Sequence, residues 1–136
     1  MHLALNGKRA LISGSMKGQG LATAIELATA GAEVVLNDCT QVLVDAALKA
    51  VREHLPQARI IGVVADLNTE RGVLALLGQV PHTDVLVNNV GPEIAQRLVR
   101  HYAPGMAERK WGQVISLGCE SEGPQQPEAL AQYPIQ

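Results

Sequence analysis

The sequence has no phenylalanine, one tryptophan and two tyrosines, so aromatics are only 2% of its 136 residues. Stacking platforms for single-stranded nucleic acid need aromatic faces, and this composition argues against one. Neither sign of charge dominates: eleven Lys and Arg stand against thirteen Asp and Glu, a net charge of −2. A binder of nucleic-acid phosphates normally carries a basic surplus. No apolar run approaches the ~18 residues of a membrane-spanning helix. Met1 to Gly7 has neither a charged leader nor a long apolar stretch, so no secretory signal is expected. Cysteine is scarce. Cys39 and Cys119 lie far apart, without His partners at metal-ligand spacing, and read as two free thiols in a reducing compartment. A cytoplasmic location and no metal are the matching expectations.

What is present is a soluble globular composition, 47% hydrophobic and 18% charged. The length suits one domain over residues 1–136, able to bury roughly two thirds of the surface its unfolded form exposes. Short β-branched runs alternate with helical patterns. Strands are expected at 9–13, 33–37, 59–65, 84–88 and 113–117. Helices are expected at 18–30, stopped by Gly31, at 42–55, ended by Pro56, and at 69–77, capped by Asn68 or Thr69. Ile94, Leu98, Tyr102 and Met106 recur at a spacing of four, which predicts a long helix over 94–110. Residues 119–136, rich in Pro, Gln and Glu, read as a loop-rich tail. Continuously apolar strands separated by helices predict an α/β fold: a doubly wound, Rossmann-type parallel sheet of five strands in the order 3-2-1-4-5. Its ligand crevice falls where the winding reverses, between the first and fourth strands.

Directly after the first strand comes Ser13-Gly14-Ser15-Met16-Lys17-Gly18-Gln19-Gly20. Gly14 permits a tight exit from the strand. Gly18 and Gly20 let backbone approach a phosphate and let the helix pack on the sheet. The helix start offers N–H groups to a diphosphate, and Asp38, ending the second strand, stands where a carboxylate would take the adenosine ribose. A plain structural turn is the other reading of three glycines alone. Lys17 is either a solvated loop charge or a contact to a 2′-phosphate.

With its Gly-x-x-x-Gly-x-Gly spacing this loop resembles that of the short-chain dehydrogenase/reductase family. Three further segments are similar to the family's: Asp66-Leu67 after the third strand, Asn88-Asn89-Val90-Gly91 after the fourth, and Trp111-Gly112-Gln113-Val114-Ile115, preceded by Pro104-Gly105-Met106. The likeness runs from about Leu5 to Tyr133. It implies that Gly14, Ser15, Lys17, Gly18, Gln19, Gly20, Asp38, Asp66, Leu67, Asn88, Val90 and Gly91 hold a nicotinamide dinucleotide, with Asp66-Leu67 at the adenine. Taken singly, Asp66 could merely open the turn into the next helix, and Asn88 and Asn89 could be turn residues. Asp38 favours NAD, because a carboxylate repels a 2′-phosphate and Cys39 supplies no positive charge. NADP stays open through Lys17.

The family's chemistry is hydride transfer between nicotinamide and a carbonyl or alcohol carbon. The resemblance places the proton-transferring Tyr at Tyr133. Family members place a Lys one turn later, because an unperturbed Tyr titrates near 10 and a positive neighbour brings it toward the working pH. That position falls just past Gln136. Cys119 stands where the family has the Ser that binds the substrate oxygen. A thiol is a weaker donor, and a buried, inert Cys119 is the alternative. The segment that carries the family's helix Asn is shorter here, and the Asn position falls on Gly91. Little turnover is therefore expected of these 136 residues. The expected function is an oxidoreductase acting on a small carbonyl or secondary-alcohol substrate. A non-catalytic NAD(P)-binding or oligomerising module is the alternative from a different class. The helix over 94–110 packs on a partner subunit in family members, so a homo-oligomer is expected if it keeps an apolar outer face.

Overall fold

Four parallel ladders join the apolar runs into one sheet. The strands are β1 (Arg9–Gly14), β2 (Glu33–Asp38), β3 (Ile60–Val64), β4 (Val85–Asn89) and β5 (Gln113–Ser116). Their order is β3-β2-β1-β4-β5, every neighbouring pair parallel, as the alternation of strands and helices predicts. The computed structural model of the chain describes residues 5–14 and 18–117. The tail expected over 119–136 lies outside the described residues.

The helices are α1 (Gln19–Thr29), α2 (Gln41–His54), α3 (Glu70–Gln79) and α4 (Pro92–Arg109). Side chains alternate across a strand, so each strand feeds two apolar layers. Ala10, Ile12, Val34, Leu36, Val85 and Val87 pack against Ala24 and Leu27 of α1 and Ala47 and Val51 of α2. Leu11, Val35, Leu86 and Val114 pack against Val73 and Leu76 of α3 and Leu98, Tyr102 and Met106 of α4. With no Phe available, Leu, Val and Ile fill the space. Tyr102 is the aromatic in the second layer; its hydroxyl donates to the Val80 carbonyl. Burial pushes that phenol far above its ordinary value. Lys8 lies over the Trp111 ring, 4.4 Å from its centre.

Several element bounds shift by one or two residues from expectation, and at the start of α4 the physical reason is plain. α4 starts at Pro92 rather than at Ile94. A first-turn proline lacks only an N–H that would go unpaired there, and Glu93 suits the positive helix end. The apolar stripe of α4 is spent on the sheet, while Gln96, Arg100 and Glu108 face outward. The large exposed apolar side chains among the described residues are Val42, Ile61, Val64 and Leu74, none of them on α4.

α3 is capped by Thr69, whose hydroxyl accepts the Gly72 N–H at 2.9 Å. Thr69→Ala should cost about 1 kcal/mol. Thermal unfolding should show a melting point lower by about 3–5 °C; an unchanged midpoint would mean that the cap contributes nothing.

Candidate functional site

At the carboxyl edge of the sheet the winding reverses. β1 leads through α1 to β2 on one side, and β4 lies on the other. Gly14 pairs with Asn89 in the ladder there. Its φ is +92°, and a methyl group at this position would sit 2.7 Å from the Val90 Cγ1 and closer still to the Asn89 carbonyl oxygen. The close approach of β4 and the left-handed backbone both demand glycine. Gly18 is the N-cap of α1, with φ 56° and ψ −117° and no side-chain cap among the described residues. Among the described residues a Cβ there would meet nothing within 4 Å, and no side chain caps the first-turn N–H groups of α1. Gln19 begins the helix and is exposed, and Gly20 is buried against the sheet.

Near the strand ends lies a polar row of which sequence reasoning singled out only Asn88 as a ligand contact. Ser13 pairs with Asn88, Asn88 with Ser116, and Asn37 with Val63. All project into the α3/α4 layer, two residues beyond Leu11, Val35, Leu86 and Val114. The Ser13 hydroxyl lies 3.1 Å from the Asn88 Oδ1 and 3.3 Å from the Val87 carbonyl. Asn88 is 2% exposed, and its Nδ2 has no partner among the described residues. A buried unpaired donor costs about 1–3 kcal/mol. The available signal was a polar residue near the end of four of the five apolar runs at the same side-chain parity, the third run keeping Val63 there.

Asp38 is buried. One of its carboxylate oxygens accepts the Cys39 N–H at 2.8 Å, and its carbonyl accepts the Ala65 N–H at 3.0 Å. Cys39 itself is exposed, with a free thiol. Asp66 is exposed and does open the turn into α3: its Oδ1 accepts the Asn68 N–H at 3.0 Å, and its carbonyl accepts the Thr69 hydroxyl at 2.9 Å. A methyl group on Gly72 would lie 2.5 Å from the Asp66 carbonyl carbon, so this turn and the α3 backbone are in direct contact. Leu67 is buried in the α3/α4 layer, and Val90, partly buried, packs against that layer. Gly91 is the N-cap of α4 with φ −62°, where any residue fits.

A cleft of about 210 Å³ opens between the starts of α3 and α4, with Leu67, Asn68, Val73 and Ile94 in its walls. Arg97 closes one side with a two-pronged pair to Glu70, the Nη2 to Oε2 arm measuring 2.6 Å. That pairing holds the Glu70 carboxyl below the usual range and raises Arg97 above its own.

The fold thus gathers Gly14, Gly18, Asp38, Asp66, Leu67, Asn88, Val90 and Gly91 at the carboxyl end of one sheet. Ser15, Lys17, Cys119 and Tyr133 lie outside the described residues. Among the described residues no three His, Cys, Asp or Glu side chains come together at metal-binding range, and no helix is long and apolar enough to cross a membrane.

The short chain dehydrogenase family profile matches residues 8–121. The uncharacterized oxidoreductase YvaG of Bacillus subtilis (strain 168) is 33% identical over 143 residues, covering 89% of this chain and 54% of that protein. The 5-keto-D-gluconate 5-reductase of Escherichia coli (strain K12) is 33% identical over 120 residues, covering 84% of this chain and 44% of that protein. Among solved structures, L-sorbose reductase from Gluconobacter frateurii, complexed with NADPH and L-sorbose, superposes with a TM-score of 0.77 at 28% identity; 99% of this chain and 59% of that chain are covered. The chain spans about half the length of these curated relatives. Sequence match, strand order and the glycine turn at the crevice agree, and the chain belongs to the short-chain dehydrogenase family.

Proposed function

We propose that the chain binds a nicotinamide dinucleotide, NAD(H) in preference to NADP(H), and serves an oxidoreductase that moves a hydride between this cofactor and a small carbonyl or secondary-alcohol substrate. The observation that carries the reading is the pairing of Gly14 and Gly18 at the crevice. One glycine lets β1 turn sharply beside Asn89, and the other starts α1 with no side-chain cap on its N–H groups among the described residues. That is room for a diphosphate against a positive helix end. The Nδ2 of Asn88 nearby, without a partner among the described residues, adds a donor suited to a polar ligand or an ordered water.

The residues divide the work by position. Gly14, Ser15, Lys17, Gly18, Gln19 and Gly20 line the diphosphate turn. Asp38 takes the adenosine ribose, and Asp66 and Leu67 border the adenine beside the cleft at α3. Asn88, Val90 and Gly91 form the opposite wall. The bound cofactor supplies or accepts the hydride. By the family resemblance Tyr133 moves the proton, and Cys119 stands at the substrate oxygen. Gly91 has no side chain to hold a relay water where the family has Asn.

Asp38 supports the NAD preference, since its buried carboxylate disfavours a second anionic group at the ribose. Calorimetric titration of the full 136-residue chain tests the reading. NADH should bind in the micromolar range, near −8 kcal/mol, and NADPH about tenfold more weakly. Asp38→Asn should erase most of that tenfold gap. No heat with either cofactor refutes the function, and equal affinities in the parent refute the preference alone.

A further inference from the structure

We infer that Asn37 is a positioning residue that holds the glycine turn in register with the Asp66-Leu67 turn, an inference that rests on the dinucleotide reading above. The backbone ladder between β1 and β2 runs from Arg9↔Glu33 to Ile12↔Leu36, whereas the β2–β3 ladder continues to Asp38↔Val64. Where β1 leaves β2, the Gly14 N–H goes to a side chain rather than to a β2 carbonyl. The Asn37 Oδ1 accepts it at 3.0 Å. The same amide turns its Nδ2 to the third strand, 3.1 Å from the Val63 carbonyl and 3.2 Å from the Ala65 carbonyl, with the Asp38 carbonyl at 3.5 Å.

One fully buried side chain thus ties three strand ends. Gly14 begins the turn proposed for the diphosphate, Asp38 follows Asn37 directly, and Ala65 precedes Asp66. A planar amide suits this place, with an acceptor on one side and two donors on the other. An apolar residue of the same volume would leave the Gly14 N–H and the Ala65 carbonyl without these partners. Because Asn37 reaches no solvent, it cannot touch a ligand itself. Its action is to fix the distance between the groups that do.

The test compares Asn37→Leu, alike in branching and heavy-atom count, with Val35→Ala, on the same strand and face but two residues farther from the crevice. NADH affinity is measured by calorimetry at a temperature where circular dichroism shows each protein folded. Asn37→Leu should weaken NADH by about tenfold, one lost preorganised hydrogen bond's worth. Val35→Ala should stay within about twofold while lowering the melting temperature at least as much, since its cavity is remote from the turn. Asn37→Leu affinity within twofold of the parent, or losses in both variants that simply track melting temperature, overturns the inference. Amide exchange of the Gly14 N–H, followed by NMR, gives a readout without ligand. It should be slow in the parent and faster in Asn37→Leu. Should the parent bind neither NADH nor NADPH, the dinucleotide reading fails, and the exchange result alone decides whether Asn37 clamps the turn. Should Asn37→Leu fail to fold, a Gly14 N–H that exchanges freely in the parent still overturns the clamp, and a protected one supports it.

Discussion

Gly14→Val should lower the unfolding free energy by about 4 kcal/mol. Two costs add. At φ +92° a β-branched residue occupies backbone space that L side chains avoid, worth about 1–2 kcal/mol. The new methyl groups also press on β4: even the first carbon would lie 2.7 Å from the Val90 Cγ1 and 3.0 Å from the Asn89 carbonyl carbon. Overpacking of this kind costs about 1–3 kcal/mol, and here the nearest neighbour is backbone, which cannot rotate away. Marginal stability in single domains is about 5–15 kcal/mol, so the loss takes a large share. Urea unfolding should show a midpoint shift at unchanged slope, and the melting point should fall by about 15 °C. Any dinucleotide affinity should fall as well, because the same crowding displaces the start of the turn. A Gly14→Val protein that melts within a few degrees of the parent would show that β1 and β4 are not held this closely.

Gly18→Asp separates binding from folding in the opposite way. Among the described residues nothing lies within 4 Å of a Cβ at this position, so the first side-chain carbon meets no clash there. Its φ and ψ, 56° and −117°, match the first central position of a type II′ turn, and a non-glycine residue pays about 1–3 kcal/mol there. An aspartate returns part of this by capping α1, since its carboxylate can accept from the first-turn N–H groups. That same carboxylate then occupies the donors a diphosphate needs and repels it. We expect a folded protein with NADH affinity reduced at least about a hundredfold, more than about 2.7 kcal/mol. Gly18→Ala carries the strain without the charge and should lose about tenfold. Because the repulsion is electrostatic and partly exposed, added salt should narrow the gap between the two variants. If Gly18→Asp titrates like the parent, the α1 terminus is not where the diphosphate sits.

Asp38 shows both what the residue pattern discloses and where it stops. A carboxylate at the end of the second apolar run is readable directly. The Cys39 N–H that orients one of its oxygens at 2.8 Å is a local contact, but the burial of Asp38 comes with β3, which pairs with β2 as far as Asp38↔Val64, beyond the last β1–β2 pair. Asp66 is the converse case. Its residue type and place were evident, but much of its hydrogen bonding is local, spent on Asn68 and Thr69. The open side of that turn, beside Leu67 and the cleft, is what it can offer to a ligand.

The order of strands, the two apolar layers and the site of the glycine turn were determined by the sequence alone. Each follows from short-range regularities: an apolar run of strand length, a helical period of about 3.6, glycines at fixed offsets between a strand and a helix. Tertiary structure decided which polar residues act together. Asn37 meets the Gly14 N–H across 23 positions and the Ala65 carbonyl across 28, and Ser13 meets Asn88 across 75. No local period encodes such pairs. They exist because parallel strands distant in the chain end side by side, and because the places where ladders stop leave backbone groups that only a neighbouring side chain can satisfy.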